Sequence, residues 1–187
     1  MRDLPERFPL SRAMRHAARA VAYAAKGQTK EARAEQALFD ESKQKVAKDA
    51  TFGNNSAQDI LTVEMHLMNG EILLAERAPE AAILHLQDAV KAEDNLRCDE
   101  PPDWIQPTRH TLGALFVALG RHHEAAEVYR EDLKKLPGNG WSLYGLSVAL
   151  DGLKQTAAAR KARVQFAQAW ANADVQIASS CLCIPAR

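Results

Sequence analysis

The chain has 187 residues, of which 47% are hydrophobic and 26% are charged, so it is long and apolar enough to fold around a core. Lysine plus arginine and aspartate plus glutamate both number 24, and the resulting net charge of zero disfavours nucleic acid and an anionic membrane surface as partners. Aromatic residues make up only 6% of the chain and alanine is frequent, so we expect close-packed helices and almost no strand.

The sequence carries no sign of membrane insertion or secretion. No apolar run approaches the roughly 18 to 20 residues that cross a membrane, and the first residues lack the short apolar core of a signal peptide. The arginines among the first nineteen residues are also compatible with a transit peptide, although Asp3 and Glu6 interrupt them. We therefore expect a cytoplasmic protein, and the three cysteines, which are too few for a disulfide scaffold, agree with a reducing compartment.

Apolar residues with helical spacing predict eight helices between residues 11 and 172. An N-terminal extension covers 1–10 and an irregular tail covers 173–187. Turn-forming residues at 51–56 predict a linker that caps the third helix with a serine. Prolines break the chain in an insertion at about 95–106. The predicted helices span 11–26, 29–48, 57–77, 79–94, 107–119, 122–136, 140–153 and 156–172.

A motif of glycine, alanine and aromatic residues organises the second half of the chain. It has the spacing Leu112-Gly113-x2-Phe116, then Gly120, then Ala125-x3-Tyr129, then Pro137. Gly113 and Ala125 are small enough to let two helices approach closely, and the aromatic residues fill the space between those helices. A step of 34 residues finds similar residues in register, namely Leu146, Leu150 and Ala159. The pattern therefore predicts two consecutive helical hairpins.

Weaker matches extend the pattern towards the N-terminus. Glu80-Ala81-Ala82 matches Glu124-Ala125-Ala126 at an offset of 44 residues, which is one repeat of 34 plus a ten-residue insertion. A third match consists of Tyr23, Gly27 and Ala32. These residues stand 93 positions before Phe116, Gly120 and Ala125. Lys154 stands where the pattern has Gly120, which is a mild departure. Four helical hairpins are therefore predicted.

The motif resembles the tetratricopeptide repeat in the residues Leu112, Gly113, Phe116, Gly120, Ala125, Tyr129 and Pro137. This resemblance implies an all-α fold, a right-handed helical-repeat solenoid of about four antiparallel helical hairpins, with a concave groove for peptides or other ligands. It is specific over about 107–171 and looser over 11–94. Several phrases, including TFGNNSAQDIL and SSCLC, are also similar to the C-terminal part of longer bacterial tetratricopeptide proteins with more repeats upstream. The chain therefore resembles a terminal portion or a short member of that group.

Candidate ligand-binding residues follow from the repeat register, because the first helix of each hairpin lines the groove in this repeat class. The fifth repeat position selects His66, His110 and Tyr144, and Trp141 extends the row. Their rings offer aromatic surface and hydrogen bonds to an extended peptide or a small polar molecule. Alternatively, Trp141 and Tyr144 pack between hairpins and the histidines are solvated.

The proline-rich insertion is a second candidate, because inserted loops often carry function. It contains or adjoins Asp99, Glu100, Trp104 and Arg109. Either it folds over the mouth of the groove and supplies Trp104 to a ligand, or it is a spacer that lets the array bend.

The tail offers possible metal or redox chemistry. Cys181 and Cys183 are two closely spaced thiols, and two thiolates suit a soft metal ion. A structural zinc ion needs four ligands, so Cys98 and a histidine would have to join them. The alternative is that the tail cysteines anchor the apolar Leu182 and Ile184 against the last hairpin.

The sequence contains no common catalytic motif: it has no glycine-rich phosphate loop, H-E-x-x-H, nucleophile elbow or paired C-x-x-C. We therefore expect a non-enzymatic binding module, without a cofactor, that recognises a protein, a peptide or a small ligand. The alternative is a metal- or redox-responsive protein that uses the tail cysteines. Self-association of the array is a further hypothesis, and neither nucleic acid nor a membrane is expected as a partner.

Overall fold

A computed structural model describes residues 4–181. Within this range the regular secondary structure is almost entirely helical, as predicted, with eight helices and one pair of very short strands. The predicted helix bounds lie within four residues of those observed. The elements are α1 (Pro9–Ala25), α2 (Thr29–Gln44), β1 (Thr51–Phe52), β2 (Asn55–Ser56), α3 (Ala57–Ala75), α4 (Pro79–Asp94), α5 (Thr108–Ala118), α6 (His122–Lys135), α7 (Gly140–Gly152) and α8 (Thr156–Ala169).

The helices belong to two compact units, which divide between Gln106 and Pro107. In the N-terminal unit, α1 packs on α2 and α3, and α3 packs on α4. In the C-terminal unit, α5 packs on α6, α6 on α7, and α7 on α8. The division falls at the C-terminal end of the predicted insertion, inside the segment 11–172 that the sequence analysis treated as one domain.

Alanines on one face of α1 build much of the core of the N-terminal unit. Ala13, Ala17 and Ala20 are fully buried, and they pack with the larger Phe39 and Met68. Alanine has the highest helix propensity and a minimal side chain, so it stabilises α1 and lets neighbouring helices approach it closely.

Four turns between consecutive helices share one backbone geometry. In each turn a residue in the left-handed region follows the first helix, and two backbone hydrogen bonds close a Schellman motif. In one of them, the nitrogen of Arg121 donates to the oxygen of Phe116 at 2.9 Å. The left-handed residues are Gly27 (φ 71°), Arg77 (62°), Gly120 (72°) and Lys154 (59°). The last two are 34 residues apart, as predicted.

These turns correct the predicted alignment between the two halves of the chain. Arg77 lies 43 residues before Gly120, so the predicted offset of 44 is one residue too long. Ala82, rather than Ala81, therefore corresponds to Ala125, and Ala82 and Ala125 are both fully buried. The sequence is ambiguous at this point because two alanines follow each other.

Tyr129 of α6 is fully buried in the C-terminal unit and packs directly on the backbone of two helices. A Cβ atom added at Gly113 of α5 would lie 2.5 Å from the Tyr129 ring, and one added at Gly145 of α7 would lie closer still. Neither position has room for a side chain while the tyrosine is present. The close approach predicted at Gly113 is confirmed, whereas the contact at Gly145 was not predicted.

The predicted linker at 51–56 is a small β-hairpin. Thr51 pairs with Ser56 in the antiparallel sheet, and Gly53 supplies a left-handed residue (φ 57°) at the turn. The side chain of Ser56 caps α3, as predicted, by accepting a hydrogen bond from the backbone nitrogen of Asp59 at 3.0 Å. Strands of two residues carry no alternation of apolar and polar side chains, so they could not be predicted from the sequence.

Candidate functional site

One face of α1 carries an open cavity of about 440 Å³, which we call the α1 cleft. Steps of three and four residues place its lining along one stripe of the helix. The stripe lies opposite the face of α1 that packs into the core, so the cleft points away from the core. Two exposed alanines form its floor between longer side chains. The lining residues are Arg15, Ala18, Arg19, Ala22, Tyr23 and Lys26.

The α1 cleft is basic, because three of its six lining residues are cations and none is acidic. Arg19 is held in place by Glu35 of α2, with 2.6 Å between guanidinium and carboxylate, and this contact raises the pKa of Arg19. Glu35 is buried, and its other oxygen lies 2.6 Å from Nδ1 of His16. The Arg19 guanidinium also lies 5.9 Å from the centre of the Tyr23 ring. The cleft therefore favours carboxylates and other anionic groups.

The α1 cleft was not predicted from the sequence. The available signal was the spacing of Arg15 with Arg19 and of Ala18 with Ala22, which puts both pairs on one stripe. The same spacing is typical of an ordinary solvated helix face, which also lies opposite a buried face. Only the cavity that these side chains form in the folded chain distinguishes the two interpretations.

His66 faces the second helix of its own pair. Its Nδ1 lies 3.1 Å from Nδ1 of His85 on α4. Burial, followed by the nearby charge of His85, lowers the pKa of His66. The turn register described above makes Leu67, rather than His66, the counterpart of His110. His66 therefore does not belong to the predicted row of equivalent positions.

His110 of α5 is only 4% exposed and has its partner inside the C-terminal unit. Its Nε2 lies 3.2 Å from Oδ2 of Asp132, and the hydroxyl of Ser142 donates to the same oxygen at 2.6 Å. The carboxylate stands between the hydroxyl and the imidazole, so these three residues do not form a nucleophile paired with a base. This placement puts His110 in the core rather than on a groove wall.

Trp141 and Tyr144 of α7 lie together, and they pack on aromatic residues at the C-terminal end of α8 and directly after it. Trp141 meets Trp170 edge to face, and Tyr144 meets Phe166 in the same way, each pair with ring centres 5.5 Å apart. All four rings are half-buried. This packing agrees with the alternative in which Trp141 and Tyr144 join neighbouring helices, and ligand binding by them stays a prediction.

Trp104 belongs to an insertion that docks on the β-hairpin of the N-terminal unit. The side chain of the buried Asn55 donates to Asp103 at 2.8 Å and to the carbonyl of Arg97 at 3.1 Å, and it accepts from the nitrogen of Arg97 at 2.7 Å. The backbone nitrogen of Asn54 donates to Asp103 at 3.0 Å. Trp104 is half-buried, and its indole nitrogen has no hydrogen-bond partner among residues 4–181. The insertion is therefore held by side chains of the predicted linker.

The tail docks against α5 and α6 at its last described residues, Ser180 and Cys181, which are both buried. The Ser180 hydroxyl donates to the carbonyl of His110 at 3.0 Å and lies 2.5 Å from the Tyr129 hydroxyl. The Cys181 sulfur lies 3.4 Å from the hydroxyl of Thr111. The tail thus supplies polar partners to the core of the C-terminal unit.

The predicted metal ligands are not assembled in the described part of the chain. Cys181 is disulfide-bonded and so presents no free thiolate, and Cys183 lies outside the described residues. Cys98 is a free, exposed cysteine. Between residues 4 and 181, no group of three or more histidine, cysteine, aspartate or glutamate side chains is arranged to hold a metal ion.

Comparisons of the chain with protein-family models, with curated proteins and with solved structures gave no match. In the described range, no helix is both long and apolar enough to cross a membrane.

Proposed function

We propose that this chain is a non-enzymatic, helical-repeat binding module of the tetratricopeptide type. The four turns of one geometry support it, because a repeat uses the same connection between its two helices each time. The spacing of 34 residues between the last two turns is the tetratricopeptide period. From this pattern we infer four antiparallel helical hairpins in a right-handed solenoid.

We infer that the module binds a protein or peptide segment rich in carboxylates, and that the α1 cleft is where this segment lies. The observation that carries the inference is the arrangement of Arg15, Arg19 and Lys26 around the exposed alanine floor. From Arg15 to Lys26 the helix rises by about 16 Å, which is the length of about five residues of extended peptide. The cleft thus matches a short acidic segment in both length and charge.

The contacts explain how such a segment is recognised. A guanidinium can hold a carboxylate with two parallel hydrogen bonds, while the alanine floor leaves room for small apolar side chains of the ligand. Because Glu35 already orients Arg19, less side-chain entropy is lost on binding. Exposed charges contribute to association rate and selectivity more than to affinity, so we expect binding in the micromolar range that weakens as salt is added.

Selection from a random peptide library tests this proposal. Sequences retained by the full chain should be enriched in aspartate and glutamate, and Ala22→Glu should weaken the binding of a selected peptide by about tenfold or more. Ala22 is exposed, and glutamate is a good helix former, so the substitution leaves the fold intact. Ala22→Gln is the matched control, because it adds similar bulk without charge and should weaken binding much less.

Two results would overturn the proposed site. One is a selection without enrichment of acidic residues. The other is a selected peptide that binds the Ala22→Glu variant as tightly as the unchanged chain.

A further inference from the structure

His66 of α3 and His85 of α4 form an imidazole pair that the proposed binding function does not use. Their Nδ1 atoms are 3.1 Å apart, their ring centres are 5.3 Å apart, and the ring planes are inclined by 42°. Both residues are half-buried, so the pair is close to solvent. Without a further ligand, one Nδ1 must carry a proton and donate it to the other.

The separation of the two nitrogens also suits a shared metal ion. Imidazole nitrogens bind zinc at about 2.0–2.1 Å, so two of them on one tetrahedral ion lie about 3.3 Å apart. The observed 3.1 Å is about 0.2 Å shorter than that distance. The two helices therefore hold the nitrogens close to the spacing that an ion requires.

We propose that His66 and His85 bind a divalent ion of the zinc, copper or nickel type through their Nδ1 atoms, with water completing the coordination. Asp88 follows His85 by three residues, one turn along α4, and acts on the site through its charge. The hydrogen bond with Lys91 lowers the pKa of Asp88, and the charges of the two histidines contribute less to the same shift. A site with two protein nitrogens and exchangeable water binds its metal reversibly, unlike a closed four-ligand structural site.

Neighbouring charges set how tightly this site can bind. Lys43 on α2 and Lys91 on α4 both disfavour positive charge at His66, whereas Asp88 favours it. Lys91 donates to Asp88 at 2.8 Å, so its charge is partly neutralised. We therefore expect micromolar rather than nanomolar affinity, with the two kinds of neighbour acting in opposite directions.

The proton shared between the two imidazoles has a place to go when an ion binds. It moves from Nδ1 to Nε2 of the donor ring through solvent, and both Nδ1 lone pairs then face the ion.

Isothermal titration of the untagged chain with zinc at neutral to slightly alkaline pH tests the proposal. Cys98 is replaced by serine in the parent chain and in every variant, so that its exposed thiol cannot contribute to zinc binding. We expect one equivalent of zinc, and His66→Gln or His85→Gln should each weaken binding by about tenfold or more. The matched control is His123→Gln, because this side chain is 74% exposed and should leave binding unchanged.

Two further variants sharpen the result. Asp88→Asn should weaken zinc binding and Lys43→Gln should strengthen it, each by a few-fold, as the signs of their charges require. Negligible zinc uptake at micromolar concentrations, or uptake that persists in both histidine variants, would overturn this site without affecting the proposal for the α1 cleft.

Discussion

Exchanging the residues at two equivalent turns tests whether the backbone geometry of the turns governs stability. Gly120 and Lys154 both have left-handed backbones in the C-terminal unit, with φ of 72° and 59°. An L-residue in this region costs about 1–2 kcal/mol. Glycine has no such penalty, but it loses about 0.5–1 kcal/mol more through the entropy of the unfolded chain. We therefore expect Lys154→Gly to stabilise the protein, and Gly120→Lys to destabilise it, by about 1 kcal/mol each.

The surroundings make this prediction easy to interpret. A Cβ added at Gly120 meets no described atom within 4 Å, so the substitution causes strain in the backbone without a steric clash. Urea unfolding followed by circular dichroism measures the effect of each substitution on the free energy of unfolding. The two effects can be compared because both residues lie in the C-terminal unit. Lys154→Ala is the control, because it removes the same charge but keeps an L-residue at the turn. A loss of stability in Lys154→Gly would contradict this prediction, and so would a gain in Lys154→Ala as large as the gain expected for Lys154→Gly.

Three other substitutions should also change stability. Gly113→Ala should cost about 1–3 kcal/mol in thermal unfolding, because its Cβ would overlap the Tyr129 ring, and an unchanged melting temperature would contradict this packing. Asn55→Ala should expose residues 97–103 to faster amide exchange, while exchange in α1 stays the same, since Asn55 supplies three hydrogen bonds to that segment. Burial raises the pKa of Glu71 to about 7 in the folded chain. The unfolded chain releases the Glu71 proton at a lower pH than the folded chain does, so the free energy of unfolding falls as the pH rises from about 4 to about 7. Glu71→Gln should reduce that fall by up to about 3 kcal/mol in urea unfolding at about pH 5 and about pH 8, and an unaltered pH dependence would contradict it.

The sequence predicted the helices well because their signals are local. Apolar spacing and turn residues define the bounds of α3 to α8, and glycine marks two of the four Schellman turns. Arg77 and Lys154 show the limit of this reasoning, because the packing of adjacent helices holds them in a conformation that their own side chains disfavour. The error of one residue in the register had a different origin, because two successive alanines fit the motif equally well.

The candidate sites were harder to predict because they depend on partners far along the chain. His110 was expected on a groove wall, but Asp132 lies 22 residues further on and fixes it in the core. His66 meets His85 across 19 residues, and neither residue alone distinguishes a ligand from a solvated side chain. The α1 cleft is recognisable only from the arrangement of its side chains in the folded chain, because its own residues match those of any exposed helix surface.

The packing around Tyr129 has a consequence for how relatives of this chain can diverge. A larger residue at position 113 or 145 fits only after the tyrosine has become smaller, while a smaller residue at 129 first leaves a void shared by α5, α6 and α7 and deprives Ser180 of its hydroxyl partner. Every single step away from the present combination is therefore unfavourable, although a combined replacement is not. In an alignment of relatives, positions 113, 129 and 145 should thus change together, with large residues at 113 and 145 appearing only beside a small one at 129.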